Sequence, residues 1–217
     1  MAISIQDHRV PSSEGYNTYD VYFYDDSIST TVTTSPDKVS EWINEVEWIH
    51  RRRLHRLIVG LDVEWRPSSE RRRRNPVATL QLCVGRRCLV YQIYHSRYIP
   101  QTLADFLSEE NYTFVGVGIQ SDLGKLYNDY EIGGDAGYVD LRELAANEYG
   151  MNSLKNAGLK RLAVVVLETE FDKPRQVTMS RWDNRWLTAE QVQYATVDAF
   201  VSFEIGRALN ACDYGLD

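Results

Sequence analysis

Four carboxylates and a tyrosine carry the spacing in this chain that could do chemistry. Asp62-Val63-Glu64 closes a mostly apolar run, residues 57–65 (LIVGLDVEW). Side chains two apart on a strand share a face, so both carboxylates point the same way. Like charges on a half-buried face repel and resist desolvation, and a divalent cation between them relieves both costs. Tyr194 and Asp198 stand four apart in a helical stretch, which returns them to one face a turn apart. Asp122 follows the glycine-punctuated run 114–121 (FVGVGIQS) and falls near a helix N-terminus, where the macrodipole favours a carboxylate. Taken singly, each has an ordinary explanation. A solvated strand end, a tyrosine hydroxyl bonded to a helix-surface carboxylate and an acidic first turn would look the same.

The elements that must position these groups read as follows. Residues 19–24 (YDVYFY) and 28–34 (ISTTVTT) are aromatic and β-branched around an Asp25–Asp26 turn, which predicts a hairpin. Ser35-Pro36 opens a helix with an apolar stripe of Val39, Trp42, Ile43, Val46 and Ile49. Residues 57–65 predict a buried strand, 66–75 a polar loop, and 77–84 with 88–93 a second hairpin around Gly85–Arg87. A short helix over 99–107, a strand over 113–118, a helix over 121–130, a loop over 133–137 and a brief strand over 138–141 come next. The remainder reads as helical except around 164–178, and ends in a long helix over 188–210. Thr188 caps that helix, with Gln191 where a capping box places Glu or Gln. The fold class is α/β, a mixed sheet flanked by helices. Residues 1–17 read as a polar N-terminal arm and 18–212 as a single domain.

At 217 residues, 43% of them hydrophobic, the chain suits one domain with a substantial core. No apolar run approaches the roughly 20 residues that span a bilayer, so no membrane association is expected. The first ten residues lack the layout of a secretory signal. Cys83, Cys88 and Cys212 show no metal-type spacing and read as reduced core thiols, which points to the cytosol or the nucleus. The net charge of −7 is unevenly spread: residues 1–100 carry 14 Lys+Arg against 12 Asp+Glu, the rest 10 against 19. A carboxylate cation site would contribute to that excess.

Arg71, Arg72, Arg73 and Arg74 lie in the loop just after Asp62 and Glu64, and read equally as phosphate contacts or a solvated loop. A second basic run, 50–56 (HRRRLHR), fits the C-terminal end of the preceding helix. Trp65 and Leu123 flank the carboxylates, and either stack on a terminal base or pack in the core. The run 162–167 (LAVVVL) is more apolar than its surroundings and reads as a strand, a core insert or a contact with another copy of the chain. His8, His50, His55 and His95 have no paired spacing and receive no catalytic role.

The order and spacing of LIVGLDVEW, NPVATLQLCVGRRCLVYQI, FVGVGIQSDLGKL and LTAEQVQYATVDAF together resemble the 3′–5′ exonucleases of the DEDD group. The resemblance runs from about residue 57 to 209. Tyr194, where other members carry a histidine, marks the tyrosine subclass, and the motifs are similar to those of the exonuclease domain of the Werner syndrome protein. MSRWDNRWLT is similar to the Ser-x-Trp stretch of those domains. The resemblance implies a ribonuclease-H-like fold and two divalent cations, Mg²⁺ or Mn²⁺, suited to oxygen-only ligands. It implies that Asp62 bridges both, that Glu64 and Asp198 complete the nucleophile-side site, that Asp122 holds the other, and that Tyr194 orients the attacking water. Stand-alone domains of this kind include small plant exoribonucleases that clear RNA fragments around the RNA-induced silencing complex. That likeness implies single-stranded RNA as substrate and an Argonaute association. A homo-oligomeric ring is a further expectation, with residues 162–167 and the aromatic hairpin as contacts. Two rivals stand beside this reading: a nuclease-like module that binds RNA or protein with little activity, and another ribonuclease-H-like enzyme that cuts internally.

Overall fold

The computed structural model describes residues 3–8, 15–68 and 74–214. Eight strands form one sheet: β1 (Ile3–Asp7), β2 (Tyr16–Phe23), β3 (Asp26–Thr33), β4 (Leu57–Glu64), β5 (Thr79–Val84), β6 (Arg87–Tyr91), β7 (Tyr112–Gly116) and β8 (Tyr138–Asp140). Their spatial order is β1-β2-β3-β6-β5-β4-β7-β8. β4 pairs antiparallel with β5 and parallel with β7, while β3 pairs parallel with β6. The C-terminal ends of β3, β6, β4 and β7 therefore share one edge of the sheet, and the acidic pair lies on that edge.

Among the described residues seven α-helices flank the sheet: α1 (Pro36–His50), α2 (Gln101–Leu107), α3 (Ile119–Tyr130), α4 (Leu141–Tyr149), α5 (Leu159–Leu167), α6 (Arg175–Thr178) and α7 (Ala189–Ala208). Alternation along β4 divides the core in two. Leu57, Val59, Leu61 and Val63 face the layer of α1, α2 and α3. Ile58 faces the opposite layer of α4, α5 and α7. Period two then puts Gly60, Asp62 and Glu64 on the α7 side as well.

α7 is buried on nearly every side, which is what an all-round apolar helix requires. It reaches the sheet through two notches. A Cβ at Gly60 would lie 2.1 Å from the Ala199 carbonyl oxygen, and one at Gly206 would lie 2.9 Å from a Val115 methyl. Only glycine lets helix and strand come this close. Thr188 and Gln191 form the capping box the sequence predicts.

Several expectations need correction. The segment 1–17, read as a polar arm, contains β1, an edge strand in register with β2. Ile3 and Ile5 supply the apolar contacts that hold it. Residues 164–167, placed in a non-helical stretch, continue α5: within the run 162–167, Leu162 and Ala163 join the core and Val165, Val166 and Leu167 are partly buried against it. Residues 77–78 precede β5 rather than open it. Val77 N–H donates to the Asp129 carboxylate at 2.8 Å and Ala78 N–H to the Glu64 carbonyl. Ile49 is 37% exposed at the end of α1 and leaves the apolar stripe. Cys83 and Cys88 are free, buried and register partners across the β5–β6 hairpin.

Candidate active site

Asp62 and Glu64 stand at the end of β4, facing α7. Asp198 comes down from α7 with only 2% of its surface exposed. One oxygen from each of these three carboxylates lies within 4.8 Å of the others, a cluster of the size that holds a metal ion. The Asp198 carboxylate has the Lys173 ammonium as its ion-pair partner. A buried carboxylate so placed is costly without a cation. Oxygen donors, tight spacing and three carboxylates facing a single ammonium fit a hard divalent cation.

Asp122 sits in the first turn of α3, after Gly118, whose φ of 78° turns the chain from β7 into the helix. It lies outside the three-carboxylate cluster but near enough that its charge and that of Asp62 act on each other. Behind it, Asp140 accepts from Gly118 N–H at 3.0 Å and pairs with Arg142 at 2.7 Å.

The electrostatics of the cluster follow from packing negative charge into a dry corner. Burial, then the Asp198 charge, pushes Asp62 up to about 7. Burial, then Asp62 and Asp198, pushes Glu64 up to about 10. Asp122 rises to about 8 through burial, then Asp62 and Asp140. Burial also raises Asp198, against the pull of Lys173.

Lys173 is the residue that the sequence reading missed. It lies in the segment between α5 and α6 and forms an ion pair with Asp198, its ammonium 5.0 Å from the centre of the Tyr194 ring. Burial works against its charge, yet the Asp198 and Asp62 carboxylates outweigh this and its pKa rises. A single lysine in Asp-Lys-Pro has no periodicity to mark it, and only the fold brings it to Asp198.

Tyr194 is 8% exposed. Its hydroxyl accepts a hydrogen bond from Thr178 Oγ1 at 3.2 Å, and its ring lies 5.9 Å from that of the fully buried Trp182. Burial, then Asp198, raises its pKa, so the phenol stays protonated. Trp65 is 37% exposed just past the end of β4, with Lys125 Nζ of α3 5.2 Å from its ring centre. Leu123 is core: 4% exposed, packed in the α1–α2–α3 layer, and withdrawn from any base. Arg74 is exposed, while Arg71, Arg72 and Arg73 lie outside the described residues.

Known 3′–5′ exonucleases resemble this chain. The family model described as "3'-5' exonuclease" matches residues 30–211. A 3'-5' exonuclease of Arabidopsis thaliana is 36% identical over 153 residues, covering 70% of this chain and 52% of the relative. The bifunctional 3'-5' exonuclease/ATP-dependent helicase WRN of Mus musculus is 31% identical over the same length, covering 70% of this chain and 11% of that protein. The chain thus spans about half the length of the first relative and a small part of the second. Among solved structures, the Nibbler EXO domain of Aedes aegypti superposes with a TM-score of 0.67 at 19% identity, covering 86% of this chain and 89% of that one. The fold is ribonuclease-H-like, and by the extent of the sequence match the chain belongs to the 3′–5′ exonuclease family.

Proposed function

We propose that the chain removes nucleotides from the 3′ end of single-stranded nucleic acid, RNA foremost, by a two-metal mechanism. The observation that carries this is the meeting of Asp62, Glu64 and Asp198, from β4 and α7, within 4.8 Å. RNA comes first because Escherichia coli RNase D, an exoribonuclease, shares this fold.

Asp62 would share two cations, with Glu64 and Asp198 on one and Asp122 toward the other. Cations held there would supply activation of water and neutralisation of the departing 3′ oxygen. The protonated Tyr194 hydroxyl orients the attacking water and does not take its proton. Lys173 offsets part of the carboxylate repulsion and fixes the Asp198 side chain. Homo-oligomeric assembly and an Argonaute association in the cytosol or nucleus belong to the same proposal. The interface is the partly exposed face of α5 with Tyr22, because Tyr19 and Phe23 are buried within the subunit.

The test is digestion of matched single- and double-stranded RNA and DNA, 5′-labelled, with Mg²⁺ or Mn²⁺. A ladder shortening from the 3′ end, abolished by EDTA and absent on circular substrate, is the expected result. Internal cuts would make the chain an endonuclease. Binding without shortening would make it a nuclease-like binding module.

A further inference from the structure

A cavity of about 160 Å³ opens on the edge of the sheet that carries the carboxylates. Its walls are Tyr16 and Tyr19 of β2, Val32 and Thr33 at the end of β3, and Arg185 with Trp186 from the segment leading into α7. We propose that this cavity seats a base of the substrate strand a few nucleotides upstream of its 3′ end, with Trp186 as the stacking platform. The proposal rests on the exonuclease reading.

Position comes first. β4 and β3 are separated by β5 and β6. Three inter-strand gaps of about 4.8 Å put the cavity roughly 14 Å from Asp62 and Glu64. A strand advances about 3.4 Å per stacked nucleotide, so roughly four nucleotides bridge the gap, and fewer if extended. The segment between is firmly held. Arg66, two residues past Glu64, pairs with Asp183 at 3.3 Å. His95 Nε2 and the Asp183 carbonyl oxygen are 2.9 Å apart. Gln92 Nε2 donates to the Asn184 and Arg185 carbonyls at 3.1 and 3.2 Å. The wall of the cavity is therefore preformed, as small-molecule sites usually are.

Chemistry comes second. Trp186 is 67% exposed, a large indole left in water beside an unfilled space. The Arg185 guanidinium lies 5.9 Å from its ring centre, and Lys38 Nζ lies 4.2 Å from that of Tyr16. Aromatic faces interleaved with cations form the sequence-tolerant platform that holds single strands, with the cations serving the phosphates. A processing enzyme needs such tolerance, because each cleavage shifts a new base into the same place.

The test uses a 5′-labelled octanucleotide of single-stranded RNA and a set with one abasic nucleotide walked from the second to the sixth position from the 3′ end. In the wild type, one or two adjacent abasic positions should raise KM about 5- to 100-fold, the range of one base stack, with kcat unchanged. Trp186→Ala should raise KM for the intact octamer by a similar factor and erase that positional penalty, while Trp186→Phe keeps it. Because Trp186 is exposed, the variant folds, and an unchanged circular dichroism spectrum checks this. An unaltered KM in Trp186→Ala, or a positional penalty that persists in it, overturns the proposal. A wild type that shortens none of the substrates sinks the exonuclease reading instead.

Discussion

The two ends of the functional edge are built on opposite terms. At the β4 end, Asp62, Glu64 and Asp198 are crowded beneath α7, with their pKa values driven upward by burial and by each other. At the β3 end, Trp186 and Arg185 stand in solvent, and among the described residues that line the cavity nothing charged is buried. Chemistry on a phosphodiester needs concentrated negative charge to hold cations, and the apo fold bears that strain. Gripping a strand needs only surface, and costs the fold little. The two ends should therefore answer differently to mutation, pH and metal.

The largest effect should come from Asp62→Ala. Turnover should fall on the order of 10³-fold or more, since under the proposed two-metal mechanism the remaining carboxylates would not hold both cations. In EDTA the same variant should melt no lower than wild type, because it relieves repulsion. A tenth of wild-type turnover in a Mg²⁺ assay would refute the assignment. Tyr194→Phe should cut kcat by about 100-fold while leaving RNA affinity near normal, since the ring still packs on Trp182. Weakened binding with normal kcat would make Tyr194 a substrate contact. Gly60→Ala should cost about 3 kcal/mol or more by chemical denaturation, because the added methyl meets the Ala199 carbonyl. A loss under about 1 kcal/mol would show that α7 can lift off the strand.

pH separates the ends next. Asp62, Glu64 and Asp122 have folded pKa values of about 7, 10 and 8, above their ordinary values near 4. Each group's contribution is fully present below the ordinary pKa and is lost as pH rises through the folded one. In EDTA, Tm should therefore fall between pH 5 and pH 8, and Mg²⁺ or Mn²⁺ should flatten the slope. A Tm that rises over that window would contradict the crowding. The smallest effect belongs to the other end, where Trp186→Ala should shift stability by under about 0.5 kcal/mol and leave the pH slope unchanged.

What was legible in the sequence follows the same division. Period two in LIVGLDVEW fixes both the burial of β4 and the common face of Asp62 and Glu64, and Tyr194 and Asp198 share a helix face by period alone. Local signals also mark α1 by its Ser35 cap and α7 by its capping box. Lys173, Thr178 and the cavity were not legible, because each exists only through contacts between distant segments. The run 162–167 misled for a related reason. β-Branched residues weigh toward a strand, but α5 packs against α7, and that tertiary contact decides. Leu123 has the residue type of a wedge, yet its place on the inner face of α3 puts it in the core.

The Gly60 notch also bears on how the molecule assembles. α7 docks on β4 by joining segments about 139 positions apart in the chain, from Gly60 to Ala199. Closing so long a loop is entropically slow and is rewarded only when the whole contact forms. Until then β4 has one bare face, and Asp62 and Glu64 lack Asp198. A site that needs Asp198 beside Asp62 and Glu64 should therefore become active only when that contact forms. After dilution from denaturant, the return of nuclease activity should follow the slowest refolding phase, with no active species preceding it.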